Sequence, residues 1–356
     1  MRRRLVLGDS LPPEELARLA RLRYVSDQQP GITRRRNGAG FVYANGHGLA
    51  LRDPRKLRRI ETLAIPPAWR DVWICSYSTG HLQSTGRDAR KRKQYLYHER
   101  WQHFSNLAKF SRLGQFGRVL PKVRQAVATD LARRSLTKNR VLAGMVTLLD
   151  LTGIRVGNEE YVKENGSYGL TTLRNRHVTV GQKLVELSFR AKGGVRRDVR
   201  VEDKRLARLI RECSRLRGAR VFQYLDADGR PRPLTAQDVN EYIQALSGHP
   251  FTAKDFRTWT ASARAAGRMV ELQGIESTTR RKKAAREVVC EAAAALSNTP
   301  TVCRNYYIHP GLLESFEDGS FDGFFAGFKP TRRKGLSREE QALAHFLRSW
   351  RPAPTA

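Results

Sequence analysis

The chain is short of acid. Thirty-four Asp and Glu stand against 66 Lys and Arg in 356 residues, a formal net charge of +32 and an isoelectric point near 10.9. A fold does not need that excess, and self-repulsion costs stability, so a polyanionic partner is the physical reading. The cations are spread along the whole chain, which favours nucleic acid over a membrane surface. Cysteine is scarce too. Cys75, Cys213, Cys290 and Cys303 form no Cys-x-x-Cys pair and have no histidine at zinc spacing. They read as free, buried thiols in a reducing compartment. Long apolar runs are missing: the stretch Val141 to Leu149 falls far below a membrane span. Near the N-terminus only three apolar residues precede Gly8, too few for the core of a signal peptide. A soluble, cytoplasmic protein without a membrane partner is expected. No P-loop, no His-Glu-x-x-His and no carboxylate cluster for a two-metal nuclease occurs, and no internal repeat is visible. The stretch DADG at 226–229 begins like a calcium loop, but Gln237 stands where that loop needs Glu, and Pro231 and Pro233 interrupt it. It reads as a turn, and no metal or cofactor is expected.

What is present falls into two textures. Hydrophobic residues make up 40% of the chain, enough for a proper core. After Pro12 and Pro13, Leu16, Leu19, Leu22 and Val25 sit near helical spacing. Gly38, Gly40, Gly46 and Gly48 then punctuate short β-like runs at 41–43 and 49–51. A helix from Pro54 to Leu63, stopped by Pro66 and Pro67, is followed by strand-like runs at 71–76 and 81–83. The basic run GRDARKRKQYLYH at 86–98 closes this part. From Trp101 the pattern turns helical, with helices expected over 100–110, 121–134, 139–150, 159–164, 204–216, 237–246 and 286–296. Thr252 with Asp255 opens another as a capping-box variant. Runs at 184–189 and 197–201 alternate with period two around Lys192, Gly193 and Gly194, a β-hairpin whose glycines supply the positive φ of a tight turn. A basic stretch, KPTRRK at 329–334, precedes a last amphipathic helix opened by Ser337 and Glu340. The class is α+β: a small N-terminal antiparallel sheet domain, 1–105, then a larger, mostly helical domain, 106–356, that contains the hairpin.

Chemistry enters with NTPTVCRNYYIHP at 298–310. A tyrosine hydroxyl is a poor nucleophile in water, since its pKa is about 10. It becomes useful opposite a phosphodiester whose charge is held by fixed cationic donors. Candidate cations stand upstream: Arg155 in LTGIRVGNE, Lys192 in AKGG and Arg257 in KDFRTW. Residue chemistry alone does not choose them from 66. By itself a lysine at a hairpin tip is simply exposed, and a charge run such as 90–93 is a solvated face.

These four segments, in this order, resemble the type IB DNA topoisomerases of the poxvirus and bacterial kind. The resemblance runs from about Asp88 to about Pro310 and includes QYLY at 94–97, VKENG at 162–166 and LRNRHV at 173–178. It implies Arg155 and Arg257 as catalytic arginines, Lys192 as general acid and Tyr307 as nucleophile, with Tyr306 as the neighbouring alternative. Asn298 occupies a position that is His in the viral enzymes; an amide donates a hydrogen bond but carries no charge. Arg92, Gln94, Tyr95, Tyr97, Asn158 and Lys254 are implied as DNA contacts. The activity implied is ATP- and metal-independent relaxation of supercoiled double-stranded DNA through a 3′-phosphotyrosyl intermediate, by a monomer associated with the nucleoid. A tyrosine recombinase shares the Arg, Lys, Arg and Tyr chemistry, but the glycine-rich β domain speaks for the topoisomerase. An architectural DNA binder accounts for the charge and not for the ordered motifs.

If duplex binding neutralises about ten phosphates, log K falls against log salt with a slope near −9. Replacing Arg90, Lys91, Arg92 and Lys93 together is expected to make that slope shallower by about three to four. A salt titration with an unchanged slope marks the run as a solvated face.

Overall fold

The computed structural model describes residues 12–331 and 335–351. The stretch 1–11, which carries the signal-peptide expectation, and Arg332, Arg333 and Lys334 of the basic tail lie outside the described residues. The chain forms two compact units that divide between Arg112 and Leu113, so the helix containing Ser105 belongs to the first.

The first unit runs α1 (Pro13–Leu19), β1 (Ile32–Asn37), β2 (Gly40–Ala44), α2 (Pro54–Thr62), β3 (Arg70–Ile74), β4 (Leu82–Arg87), β5 (Lys93–Tyr97) and α3 (Glu99–Ser111). Its five strands form one antiparallel sheet in the order β2-β1-β3-β4-β5. The core under α2 is Ile32, Ile60, Ile65, Val72 and Ile74, each worth about 1.5–3 kcal/mol on burial. β1 is a strand the sequence conceals, because Arg34, Arg35 and Arg36 interrupt the alternation and only Ile32 is buried. Arg34 donates to the carbonyls of Ile65, Pro66 and Trp69 at 3.2, 3.0 and 2.9 Å, where two prolines leave the chain without its own ladder. The expected strand at 49–51 is only an isolated bridge from Ala44 to Ala50. α1 ends at Leu19, and Leu22 and Val25 are buried beyond it.

The second unit runs α4 (Leu113–Leu131), α5 (Lys138–Thr152), α6 (Glu159–Asn165), β6 (Val178–Val180), β7 (Leu184–Arg190), β8 (Arg196–Glu202) and α7 (Lys204–Ser214). It continues with β9 (Gln223–Leu225), β10 (Pro231–Pro233), α8 (Ala236–Ser247), α9 (Ala253–Glu271) and α10 (Thr278–Leu296). α11 (Pro300–Tyr306), α12 (Pro310–Asp318), α13 (Phe321–Phe324) and α14 (Arg338–Ser349) complete it. The class is α+β as expected, and the hairpin gains a third strand, β6. The DADG turn joins β9 and β10, with Asp226 Oδ1 accepting from the amides of Asp228 and Arg230.

Two helices start earlier than their apolar period shows. α4 begins at Leu113 and carries Pro121 inside it. Its upstream half is held by Phe116, edge-on to Phe251 and Phe256 at 5.2 and 5.0 Å, and by Gly117. A Cβ at Gly117 would come within 2.2 Å of the Trp259 ring. That packing outweighs the donor lost at proline. α10 begins at Thr278, capped by Ser277, because Arg281 folds back onto the carbonyls of Ile275 and Glu276. Apolar burial starts only at Ala284, so the basic first turns read as loop. Three cysteines are buried, but Cys290 on α10 is exposed, contrary to expectation, because it lies outside the Ala/Val stripe. Among the described residues no helix is long and apolar enough to cross a membrane.

A buried knot ties four helices together. Arg124 of α4 donates to Asp150 of α5 at 2.7 and 2.8 Å and to Glu340 of α14 at 2.7 and 2.9 Å. The Trp259 indole of α9 donates to Glu340 at 2.9 Å. Ser337 and Glu340 also form the capping box that opens α14. Burial works against the Arg124 charge, but the two carboxylates outweigh it and hold its proton more tightly than usual.

Arg124→Met leaves both carboxylates buried without a counter-charge. It is expected to cost about 3–5 kcal/mol in urea unfolding. Replacing all three residues by apolar ones should recover most of that loss; no recovery would show that the knot acts through something other than charge.

Candidate active site

α5 is buried along most of its length and ends at Gly153, which takes the left-handed conformation at φ +59. The chain turns sharply there and delivers Arg155 from a stiff mount. The Arg155 carbonyl accepts from Leu170 N at 3.0 Å, and Val156 O from Thr171 N at 2.8 Å. α10 ends at Leu296, Ser297 turns left-handed at φ +49, and Asn298 N donates back to Ala293 O at 2.9 Å. α9 is opened by Thr252, whose amide and hydroxyl donate to Asp255, and its early turns carry Arg257.

These helix ends converge. Arg257, 4% exposed, donates to Gly153 O and, at 3.3 Å, to Leu296 O. Arg155 donates to the side-chain oxygen of Asn298 and, at 3.5 Å, to Ser297 O. Tyr307 caps α11, its ring 5.0 Å from the Arg257 guanidinium, which also hydrogen-bonds its hydroxyl. Ser262 of α9 pins the backbone on both sides: its hydroxyl donates to Tyr307 O at 2.9 Å and accepts from His309 N at 3.0 Å. His309 lies edge-on to Trp350 at 4.7 Å, and burial pushes its pKa down to about 3. Tyr306, by contrast, is 46% exposed.

Among the described residues no carboxylate pairs with Arg155 or Arg257. Burial and then Arg257 push the Arg155 guanidinium down to about 10, with Tyr307 opposing. Burial pushes the Tyr307 hydroxyl up, but the charge and hydrogen bond of Arg257, with Arg155 and Lys254, outweigh it and hold it below the usual phenol range. The Nε of Arg257 and the Nδ2 of Asn298 are buried donors without a protein acceptor. The arrangement is an anion pocket with an acidified phenol at its edge.

The other implied residues lie elsewhere. Lys192 is exposed on the hairpin tip, its ammonium 5.4 Å from the ring centre of Tyr161, and Gly193 and Gly194 turn the chain at φ +82 and +79. Asn158 caps α6, accepting from Glu160 N at 3.2 Å. Lys254 is exposed on α9. In the first unit, Tyr95 and Tyr97 share one face of the edge strand β5, rings stacked 6.0 Å apart. Strand alternation puts Gln94 on the opposite face. Asp88 organises the turn before them, accepting from Gln94 at 2.9 Å and pairing with Arg92 at 2.7 Å.

Sequence reasoning missed Arg197, which is 5% exposed on β8 and donates to Thr152, Ala295 and Leu296 carbonyls. A signal was there: period two places it on the face of Val199 and Val201, an inward cation. Ser262 carries no such signal, since a serine on a helix reads the same on any face.

Residues 98–320 match the family described as eukaryotic DNA topoisomerase I, catalytic core, and residues 40–88 match the N-terminal domain of bacterial DNA topoisomerase IB. The DNA topoisomerase 1B of Acanthamoeba polyphaga mimivirus is 32% identical over 304 residues, 81% of this chain and 88% of that one. Vaccinia virus DNA topoisomerase 1B is 21% identical over 239 residues, 66% of this chain and 73% of its own. The solved XerH site-specific recombinase bound to difH substrate superposes at a TM-score of 0.33 with 12% identity, covering 63% of this chain and 66% of that chain, a likeness too loose to carry an argument.

The acidified phenol is open to direct test. A difference titration of the full chain against Tyr307→Phe should show one tyrosine ionising below the rest, and Arg257→Met should move that step upward. A step at the ordinary tyrosine position would show that the arginines do not act on the hydroxyl.

Proposed function

The chain belongs to the DNA topoisomerase IB family, and on that premise we propose that it relaxes supercoiled double-stranded DNA through a covalent phosphotyrosine. The observation that carries this reading is the meeting of Tyr307 with Arg155, Arg257 and the Asn298 amide in a pocket without a paired carboxylate. A backbone phosphate supplies the missing anion. Arg155 and Arg257 hold its non-bridging oxygens with planar forks of donors, and Asn298 Nδ2 donates a third bond.

Tyr307 Oη attacks phosphorus and loses its proton to solvent, eased by the cationic field that already lowers its pKa. The bond to the 5′ oxygen breaks, and Lys192 gives that oxygen a proton, since an alkoxide leaves poorly without one. The products are a 3′-phosphotyrosyl bond and a 5′-hydroxyl. Because the broken bond's energy stays in the phosphotyrosine, strand rotation and religation need no ATP. For this step the hairpin tip has to leave Tyr161, a movement its paired glycines permit. Lys254, Asn158 and, in the first unit, Arg92, Gln94, Tyr95 and Tyr97 contact the duplex. The proposed enzyme is a monomer, and free thiols fit work on nucleoid DNA in the cytoplasm.

Two measurements test the reading. Tyr307→Phe should abolish the covalent complex trapped by denaturant yet keep DNA affinity within severalfold, whereas a complex lost only in Tyr306→Phe would reassign the nucleophile. Arg155→Ala should slow cleavage by on the order of 10²–10⁵. Relaxation of a plasmid that lacks any paired recombination site separates this activity from a recombinase; failure to relax it would sink the proposal.

A further inference from the structure

The hairpin that carries Lys192 is anchored in an unusual way. Its strands pair from Leu184 with Glu202 up to Arg190 with Arg196, and Arg197 sits opposite Phe189, one pair short of the tip. Phe189 and Val201 turn inward as apolar contacts, and Arg197 turns inward with them. Its guanidinium reaches Leu296 O at 3.2 Å and Ala295 O at 3.4 Å at the end of α10, and Thr152 O at the end of α5. Those two helix ends lead directly into Asn298 and Arg155. Leu296 O also accepts from Arg257.

A neutral side chain would fill this place at lower cost. Burying a cation is expensive, and here burial, Arg257 and Arg155 together push its pKa down to about 10. No carboxylate pairs with it among the described residues. Its planar fork reaches the two helix ends from separate nitrogens, Nη1 to Leu296 and Nη2 to Thr152 and Ala295, a span that the single nitrogen of a lysine matches less well. Toward the tip from Arg197, Tyr168 N donates to Arg190 O at 2.8 Å and Ala191 is buried, so the part left unheld is short. Lys192 to Arg196 are exposed.

We propose that Arg197 is a positioning residue that stakes the far end of the β7–β8 hairpin to the ends of α5 and α10, so that Lys192 is delivered to the phosphate from a fixed base. This rests on the reading of Lys192 as the general acid. The freedom the step needs is thereby confined to the glycine tip, and the acid and the phosphate ligands share one frame. Arg197 touches neither phosphate nor leaving group.

The test uses single-turnover cleavage by the full chain on saturating DNA, with an ordinary phosphodiester and with a 5′-bridging phosphorothiolate, whose thiolate leaves without a proton. Arg197→Met should cleave the ordinary substrate slower by about 10² and recover most of that loss on the phosphorothiolate, as Lys192→Ala should. Arg197→Lys should fall between wild type and Arg197→Met, and it carries the test if the methionine variant does not fold. Equal loss on both substrates, the pattern expected of Arg155→Ala, or no loss on either, overturns the proposal. If Lys192→Ala itself shows no rescue, the general-acid reading fails instead. Hydrogen exchange then decides: the tip amides at 191–195 should exchange faster in the Arg197 variant while α7 is unchanged, and unchanged tip exchange rejects the anchor.

Discussion

The site depends on how three guanidiniums are held. Arg155, Arg197 and Arg257 lie at the carboxyl ends of α5 and α10 and bond to their last carbonyls. Such carbonyls lack partners within the helix and form the negative end of its dipole. They take up some of the donors without cancelling the charge, and Arg257 Nε stays without an acceptor. A carboxylate would do both and leave nothing for a phosphate. The consequence is visible in Arg155 and Arg197, each pushed down to about 10 by burial and by its cationic neighbours, and in the acidified hydroxyl of Tyr307. An anion entering this pocket would relieve the mutual repulsion of its cations.

Such a cradle needs helix ends that do not move. α5 is buried, Gly153 and Ser297 turn the chain abruptly, and the Arg124 knot joins α4, α5, α9 and α14. The last helix is part of the site's frame. Its Glu340 supports α9 beneath Arg257, while Trp350, just beyond its end, meets His309, two residues from Tyr307. A neutral, buried His309 fits that packing role.

On β5 and the turn before it, charge is held differently. Arg92 with Asp88 and Lys93 with Asp27 are half-exposed ion pairs at 2.7 and 2.5 Å. Surface pairs of this kind are worth about 0–1 kcal/mol, so they orient side chains around β5 yet exchange readily. Among the described residues Arg155, Arg197 and Arg257 have no carboxylate partner, whereas Arg92 and Lys93 have exchangeable ones.

The sequence by itself determined the two textures, the hairpin, the buried helix α5 and the caps at Thr252 and Ser337, because each rests on local periodicity or on a side chain bonding a nearby amide. The order of the Arg, Lys, Arg and Tyr segments was legible as a family resemblance. Strand β1 and the front halves of α4 and α10 were not, since Arg34 to Arg36, Pro121 and Arg280 to Lys283 contradict the local signal and only packing or distant carbonyls override it. Tertiary structure alone decided that Arg155, Arg257, Asn298 and Tyr307 meet while Lys192 rests against Tyr161. It alone recruited Arg197 and Ser262. The hydrogen-bonded partners of this site stand 39 to 143 residues apart in sequence, and no local pattern encodes which helix end a guanidinium will reach. That depends on where folding places the last carbonyls of α5 and α10.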